Sequence, residues 1–411
     1  LPFGAPGRVP RVYVDGCFDM MHSGHMNAVR QAKLIADSVN GILVVGVHTD
    51  AEIERNKGPP VMRDDERIAL TSAVKWVDEL IFDTPYTLTM PFLDSIDAEY
   101  CVHGDDTSIN ADGSDAYGEA KRAGRMKVVK RTEGVSTTDL VGRLLLFSRE
   151  HHTSFEGGPK AATSSTLALS VAEAASTDVA RDTTAAAASA EGYAEENVSS
   201  TGLSQFLPTT WRLRAFSNGR VARPNERIVY VHGAFDLLHS GHVGALYAAR
   251  QLGDFLLVGL HDDATVNRAR GRNHPIASLH ERALCVLALG CVDEIILGAP
   301  AVISADLLNS MNISIVVGEA DEPPTPPDSA TPADLDASPT KMIGVLAGPD
   351  PYAAPKARGI YQACAKPPKL SLADIVARII ENRKRYEARN AKREKREKHY
   401  VLHQKAYVVE L

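Results

Sequence analysis

The sequence predicts two tandem α/β domains, each built on a doubly wound parallel sheet. Short apolar runs with strand character alternate with helical stretches from residue 11 to about residue 150, and the alternation resumes at residue 228. The segment 12–25 also recurs, nearly unchanged, at 228–242. Alternating strands and helices are typical of parallel sheets, which bind ligands at the carboxyl ends of their strands. The recurrence therefore predicts that one such domain is present twice.

The first domain is predicted over residues 1–150. Its strands are expected at 12–14, 42–47, 79–82, 100–103 and 126–129. Helices are expected at about 24–38, 64–74, 88–95, 114–123 and 136–149. In the first of these helices, Ala28, Ala32, Ile35 and Val39 form one apolar face, which is the periodicity of an amphipathic helix.

The remaining chain divides by composition. Residues 151–205 are rich in Ala, Ser and Thr and are predicted to be a low-complexity linker. A second domain is predicted over 206–385, with a disordered loop at 319–347 where Pro, Asp and Ser are crowded. Residues 386–411 form a charged tail. Because a hydrophobic face is missing over residues 381–400, we expect a solvated helix there and not a membrane-surface helix.

The overall composition is that of a globular protein, with 44% hydrophobic and 24% charged residues. A net charge of −7 gives no reason to expect nucleic-acid binding. Five cysteines without a C-x-x-C pair argue against a disulfide framework or a zinc ribbon, so a cytoplasmic location is expected. The sequence lacks an apolar run long enough to span a bilayer, and at most peripheral membrane contact is expected. It also lacks a signal-peptide pattern and an initiator Met, so we expect residues upstream of Leu1.

A glycine turn leads from the first strand into the first helix. Gly16 allows a ligand to approach the backbone, and the helix start offers N–H groups to an anion. His22 and His25, three residues apart, can point at the same place and donate to phosphate oxygens. Two histidines satisfied by local hydrogen bonds are the alternative. The recurrence of the pair as His239 and His242 favours a nucleotide-phosphate cradle.

Residues 131–138 form a second candidate anion site, at the start of the closing helix. Arg131 offers a bidentate cation, and Gly134 permits close backbone approach. The hydroxyls that follow can bind phosphate or can simply cap the helix, and both roles are compatible. These hydroxyls belong to Ser136, Thr137 and Thr138.

The second domain is predicted to be a degenerate copy. At the position of the 131–138 segment, Pro367 and Pro368 remove two backbone donors and Leu372 replaces a hydroxyl. Gly290 stands where the first domain has Lys75. Half of a possible nucleotide site nevertheless remains, and it consists of Gly233, Ala234, Phe235, His239, His242 and Arg270.

These segments resemble the cytidylyltransferase family. Its three signatures match in order, as G-C-F-D-M-M-H-S-G-H at 16–25, K-W-V-D-E-L-I at 75–81 and R-T-E-G-V-S-T-T at 131–138. Two tandem copies are the layout of the family members that make CDP-ethanolamine for phosphatidylethanolamine synthesis. Choline-phosphate members carry one catalytic domain and a long lipid-binding helix, and neither feature fits this chain. The resemblance implies Rossmann-like nucleotidyltransferase domains.

The resemblance also implies an activity, namely cytidylyl transfer from CTP to phosphoethanolamine in the first domain. The catalytic residues it implies are His22, His25, Lys57 and Arg131. The CTP-binding residues it implies are Gly16, Cys17, Phe18, His22, His25, Gly104, Asp105, Arg131, Thr132, Ser136, Thr137 and Thr138. The substrate ammonium group is expected near Asp15, Trp76 and Tyr86, although Trp76 fits a core position equally well. Mg²⁺ is expected to enter with CTP, held mostly by phosphates and water.

Two alternatives remain open from the sequence. One is a different nucleotidyltransferase with an H-x-G-H motif, such as an adenylyltransferase, or a choline-phosphate enzyme. The other is a nucleotide-binding regulator without turnover, and this applies above all to the second domain. The oligomeric state is not predicted.

Overall fold

The structure is a computed structural model. It describes residues 7–105, 108, 110, 114–132, 134–146, 208–271, 273–318, 350–364 and 370–389. The predicted linker, the predicted loop at 319–347, Pro367 and Pro368, and the tail beyond residue 389 lie outside the described residues.

The first domain is a five-stranded parallel sheet with the strand order β3-β2-β1-β4-β5. Its strands are β1 (Arg11–Gly16), β2 (Ile42–Val47), β3 (Glu79–Phe82), β4 (Tyr100–Gly104) and β5 (Met126–Val129). Its helices are α1 (Ser23–Ser38), α2 (Asp50–Asn56), α3 (Asp64–Ser72), α4 (Met90–Ser95), α5 (Gly118–Arg122) and α6 (Thr137–Leu146). The central strand β1 pairs with β2 and β4, which places its carboxyl end at the point where the strand order reverses.

The second domain repeats this topology with the order β10-β9-β6-β7-β8. Its strands are β6 (Ile228–Gly233), β7 (Phe255–Leu260), β8 (Glu294–Leu297), β9 (Ile313–Gly318) and β10 (Tyr361–Ala363). Its helices are α7 (Pro208–Phe216), α8 (Ser240–Arg250), α9 (Asp263–Arg270), α10 (Leu279–Leu287), α11 (Ala305–Ser310), α12 (Ala353–Ala357) and α13 (Leu372–Glu381). Helical residues 383–389 follow α13. The predicted fold class, two tandem domains with doubly wound parallel sheets, is confirmed.

The two domains pack through equivalent surfaces. Helix α1 packs on α10, and α3 packs on α8, its counterpart pair. Between them Val74 and Leu289 form an antiparallel bridge. Lys75 N donates to Ala288 O and Gly290 N donates to Ala73 O, both at 2.9 Å. This reciprocity makes the contact an internal version of the two-fold interface of a homodimer. Lys75 and Gly290 therefore face each other between the domains and lie outside the predicted nucleotide sites.

The closing helices α6 and α13 each reach from their own domain to the other one. They share one apolar cluster with residues of both strand-to-helix turns, among them Met20 and Leu237. Arg143 of α6 forms a two-pronged ion pair with Glu281, at 2.7 and 3.0 Å. Arg378 of α13 pairs in the same way with Glu66, at 2.6 and 2.8 Å. Each closing helix thus ends against the other domain.

Candidate active site

The turn after β1 places two histidines at the start of α1. Phe18 and Met20 adopt positive φ angles of 47° and 46°, which are uncommon for residues other than glycine. This tight path sets His22 at the N-cap of the helix. The second domain repeats the same device at Phe235 and Leu237, with φ angles of 50° and 46°. A strained turn conserved in both copies is typical of a functional site.

His22 and His25 are oriented by the backbone of the same turn. Gly24 N donates to His22 Nδ1 at 3.1 Å, and His22 N donates to His25 Nδ1 at 3.4 Å. The ring centroids are 4.0 Å apart. An accepting Nδ1 carries no proton, so in the neutral rings the proton lies on Nε2. The local hydrogen bonds foreseen as an alternative do exist, and they fix both rings with their Nδ1 atoms as acceptors.

Asp19 holds the loop formed by residues 57–62 against this turn. Its carboxylate accepts from Val61 N at 3.0 Å and from Met62 N at 2.9 Å. Lys57 begins the loop, and its Nζ lies 5.4 Å from the ring centroid of Tyr86. The loop thus brings the predicted lysine to the side of the site where Tyr86 lies.

The segment 131–138 is tied to the first domain by its hydroxyls. Asn27 donates to Thr132 Oγ1 at 3.0 Å, and Thr137 Oγ1 donates to the carbonyl of Asp19 at 3.1 Å. Ser136 caps α6 by accepting from Asp139 N, also at 3.0 Å, as the capping alternative predicts. Thr138 differs, since its Oγ1 is buried and has no hydrogen-bond partner among the described residues. Of the three predicted hydroxyls, that of Thr138 is the one that forms no hydrogen bond with the part of the chain that the structure describes.

Asp105 joins the ends of two neighbouring strands. Its Oδ1 accepts from Arg131 N at 2.9 Å, and its Oδ2 lies 3.4 Å from Lys130 Nζ. It directly follows Gly104, the last residue of β4. The structure therefore brings Gly104, Asp105 and Arg131 together at the carboxyl edge of the sheet.

Asp15, just before the turn, is a buried carboxylate with one oxygen lacking a partner. Its side chain is 6% exposed, and Oδ1 accepts from the Tyr117 hydroxyl. Oδ2 is buried without a hydrogen-bond partner in the described part of the chain. Burial, and then the charge of Asp15, raise the pKa of Tyr117 well above its usual value, so Tyr117 stays a neutral donor. Tyr86 and Tyr117 belong to one buried cluster.

Tyr117 is a site residue that the sequence reasoning missed. A signal existed, because D-A-Y at 115–117 recurs as D-P-Y at 350–352.

Trp76 is a predicted site residue that the structure places elsewhere. It precedes β3 and packs edge-on against Phe216, with ring centroids 5.0 Å apart. In a parallel sheet this is the edge opposite to Asp15, so the structure does not place Trp76 with the other predicted ammonium-binding residues and instead puts it between the domains.

The second domain keeps the histidine pair but changes its surroundings. The rings of His239 and His242 are stacked 3.8 Å apart, and His239 is fully buried. Burial, followed by the nearby charge of Arg270, lowers the pKa of His239 to about 3. The Arg270 side chain is 6% exposed and lies 4.0 Å from Asp236. The second domain's own cation therefore stands beside its histidines.

The position of Asp15 is taken by His232 in the second domain. His232 follows the same strand pattern, is fully buried and contacts the rings of His261 and Tyr352. Burial lowers the pKa of His232 to about 3, so the ring is neutral. The second copy has no carboxylate at this position.

No helix within the described residues is both long enough and apolar enough to cross a membrane. Within the same residues, no group of three or more His, Cys, Asp or Glu side chains is arranged to hold a metal ion.

Comparison with known proteins identifies the family in both domains. The Cytidylyltransferase-like family matches residues 13–143 and 230–326, one segment in each domain. An ethanolamine-phosphate cytidylyltransferase of Dictyostelium discoideum is 43% identical over 95% of this chain and 96% of its own length. One of Arabidopsis thaliana is 44% identical over 97% of this chain and 86% of its own. Choline-phosphate cytidylyltransferase 2 of Arabidopsis thaliana is 42% identical but covers only 34% of this chain and 45% of its own. The chain therefore belongs to the cytidylyltransferase-like family, among the ethanolamine-phosphate cytidylyltransferases.

Proposed function

We propose that the chain transfers the cytidylyl group of CTP to phosphoethanolamine, forming CDP-ethanolamine and pyrophosphate, and that the first domain performs the reaction. The observation that carries this proposal is the buried carboxylate of Asp15. A buried charge is costly unless a cation or hydrogen-bond donors compensate it. A primary ammonium group supplies both at Oδ2. The full-length relatives that act on ethanolamine phosphate support the same substrate.

The amine would lie between Asp15 and the tyrosines of the buried cluster. The Tyr117 hydroxyl fixes one carboxylate oxygen and leaves the other for the ammonium group. Tyr86 adds an aromatic ring to this cluster, and the same ring also lies 5.4 Å from Lys57 Nζ. Because Asp15 directly precedes Gly16, the phosphate of the same substrate would reach the turn that leads to the histidines.

CTP would bind with its phosphates over that turn. His22 and His25 each direct an Nε2–H at the phosphate oxygens, and Lys57 and Arg131 neutralise the triphosphate. The N–H groups at the start of α6 and the Thr138 hydroxyl add donors. These groups concentrate positive charge and hydrogen-bond donors where charge develops in the transition state.

The chemistry proposed is a single in-line displacement. A phosphate oxygen of phosphoethanolamine attacks the α-phosphorus of CTP, the bond to the β-phosphate oxygen breaks, and pyrophosphate leaves with the electron pair. The attacking phosphate is already ionised near pH 7, so no general base is needed. The protein contributes position and charge stabilisation.

Mg²⁺ fits this site as a companion of the nucleotide. The described residues offer no cluster of ligands for a protein-bound metal, and phosphate oxygens with water are the ligands Mg²⁺ prefers. Bound with CTP, the ion would add charge neutralisation. Asp15 and Asp105 would not serve as metal ligands and would keep their contacts with Tyr117 and Arg131.

The second domain is proposed to be non-catalytic. His232 replaces the carboxylate that would bind the ammonium group, and a neutral ring offers a cation no opposite charge. Arg270 lies beside His239 and His242 and could still face a phosphate. A site that cannot hold the second substrate cannot align an attacking group.

One assay tests the proposed activity. Purified protein is incubated with Mg²⁺, either CTP or ATP, and either phosphoethanolamine or phosphocholine, and pyrophosphate release is measured. We expect release with phosphoethanolamine and a lower kcat/KM with phosphocholine. Equal or better turnover with phosphocholine would overturn the substrate assignment. Preferred turnover of ATP over CTP would favour the alternative nucleotidyltransferase, and absence of release with all pairs would favour a nucleotide-binding regulator.

A further inference from the structure

The C-terminal part of the second domain reaches across to the first domain. We call residues 378–389 the arm; it comprises the end of α13 and the helical residues 383–389. Tyr386 of the arm is only 2% exposed. The sequence predicts a solvated helix over residues 381–400, and for Tyr386 and Arg389 this is wrong because both side chains donate to carbonyls of the 57–62 loop of the first domain.

The arm donates hydrogen bonds to three successive carbonyl groups of the 57–62 loop. These bonds run from Arg389 to Pro59 O at 2.9 Å, from Tyr386 to Pro60 O at 3.1 Å and from Arg378 to Val61 O at 3.2 Å. Two of the acceptors are prolines, which have no N–H with which to form backbone bonds of their own. The loop is therefore fixed largely by donors from the second domain.

Arg389 also pairs with the residue that holds the loop from the other side. Its Nη1 lies 3.4 Å from Asp19 Oδ2, and the two side chains are 12% and 6% exposed. Asp19 in turn accepts from the N–H groups of Val61 and Met62. Because the pair is mostly buried, water and salt screen it weakly. One guanidinium thus connects the carboxylate of Asp19, in the turn after β1, with the carbonyl of Pro59 in the loop.

The loop fixed in this way carries Lys57. Gly58 follows with a φ of +100°, a conformation that favours glycine, and the side chain of Arg389 lies 3.5 Å from where a Cβ would stand. Arg389 therefore packs directly beside the bend that sets the direction of Lys57. Any movement of the loop would move this ammonium group relative to the histidines.

The second domain satisfies the equivalent aspartate differently. Asp236 accepts from Ile276 N and Ala277 N at 2.7 and 2.9 Å, as Asp19 does in the first domain. Its basic neighbours, however, are the Arg270 guanidinium at 4.0 Å and the His274 ring at 3.5 Å, both from its own domain. The first domain receives the corresponding cation from the other half of the chain.

We propose that Arg389 is a positioning residue for CTP binding, through which the second domain completes the nucleotide site of the first. The inference rests on the proposed function. It explains the presence of a degenerate second copy without assigning chemistry to that copy. Because Arg389 acts on the loop that bears Lys57 and not on Asp15, its loss should affect CTP far more than phosphoethanolamine.

The test compares three variants of the full chain. Arg389→Ala removes both contacts, Arg389→Lys keeps the charge, and Arg385→Ala is the control. Arg385 lies on the same arm, with its side chain 55% exposed in an ion pair with Glu54. Steady-state pyrophosphate release is measured while each substrate is varied at saturation of the other. Melting temperatures and CTP binding by calorimetry accompany the kinetics.

We expect Arg389→Ala to raise the KM for CTP roughly 10- to 100-fold, the range for loss of a charge-assisted bond that positions a site. The KM for phosphoethanolamine should stay within twofold, Arg389→Lys should show a smaller rise, and Arg385→Ala should resemble wild type. If Arg389→Ala melts below the assay temperature, the test uses Arg389→Lys, with a rise in the KM for CTP and not for phosphoethanolamine as the criterion.

Equal KM values for CTP in Arg389→Ala and Arg385→Ala would overturn the proposal. So would an equal rise in both KM values, which indicates general disruption of the domain. A wild-type protein that releases no pyrophosphate would instead overturn the proposed function. Calorimetric CTP binding to the same variants would then still decide the role of Arg389.

Discussion

Substitution of Asp15 by Asn tests the ammonium site directly. Asn keeps an oxygen that can accept the hydrogen bond from Tyr117, so the local fold should be retained. What disappears is the negative charge beside the buried Oδ2. In the free protein that charge is buried without a cation among the described residues, so removing it should leave the melting temperature equal or higher.

The effect on substrate should be large because Asp15 is only 6% exposed. Removing one partner of a buried, hydrogen-bonded charge pair costs about 2–5 kcal/mol. The lower part of this range applies here, because Asn still offers its amide oxygen. A loss of about 2–3 kcal/mol corresponds to a roughly 30- to 150-fold decrease in kcat/KM for phosphoethanolamine. Selectivity over phosphocholine should fall as well, since a quaternary ammonium group cannot donate a hydrogen bond.

The assay measures pyrophosphate release, first with phosphoethanolamine varied at saturating CTP and then with CTP varied at saturating phosphoethanolamine. Asp115→Asn is the matched control, because this carboxylate is exposed and pairs with Lys121 at 2.6 Å. The KM for CTP should stay within about threefold in both variants. A kcat/KM for phosphoethanolamine within threefold of wild type in Asp15→Asn, with the protein folded, would refute the ammonium site.

Three further predictions concern the histidines and the domain interface. His25→Ala should lower kcat roughly 100- to 1000-fold at an unchanged melting temperature; turnover within tenfold of wild type would contradict its role. Replacing His239 and His242 together by Ala should leave substantial turnover, whereas the same change at His22 and His25 should abolish it; equal losses in folded proteins would place chemistry in both domains. Burial lowers the pKa of Lys75 to about 8, so between about pH 8 and 10.5 the unfolded chain holds a proton that the folded chain has lost, and stability rises with pH. In urea unfolding, Lys75→Met should remove about 3 kcal/mol of this rise between pH 8 and 10.5, and an identical pH profile in the variant would contradict the assignment.

Local sequence patterns were sufficient to predict the architecture. The apolar runs predicted as strands in the first domain match β1 to β5 to within two residues at each end. Such patterns depend on neighbours in the chain, and a buried parallel strand is a short apolar run wherever it occurs. The short helix α2 and strand β10 were not predicted, because neither has enough residues to establish a period.

The histidine pair was predictable for the same reason. His22, Gly24 and His25 lie within four residues, and their mutual hydrogen bonds are formed inside one turn. The contact of Asp15 with Tyr117 joins residues 102 positions apart, and it depends on how the carboxyl ends of the strands meet. Only the recurrence of the D-x-Y pattern hinted at it.

Trp76 and the arm show where sequence reasoning fails. Trp76 lies in a family signature, and an aromatic side chain there suggests a cation site. Its partner Phe216 is in a helix whose position depends on the domain interface. Arg389 lies in a run of charged residues that reads as solvated surface. Its partners Asp19 and Pro59 are 370 and 330 positions away, and no local pattern encodes such contacts.

The two domains differ at the position of Asp15 and in the cation that lies beside the aspartate of the strand-to-helix turn. In the proposed function, the carboxylate of Asp15 gives the first domain a place for an amine, whereas the second domain has the neutral ring of His232. The aspartate of each turn needs a cation, and the second domain supplies its own from Arg270. The first domain takes its cation from the arm, at Arg389. A free-standing first domain would therefore lack donors for its own nucleotide loop, and this dependence is a physical reason for the two domains to stay in one chain.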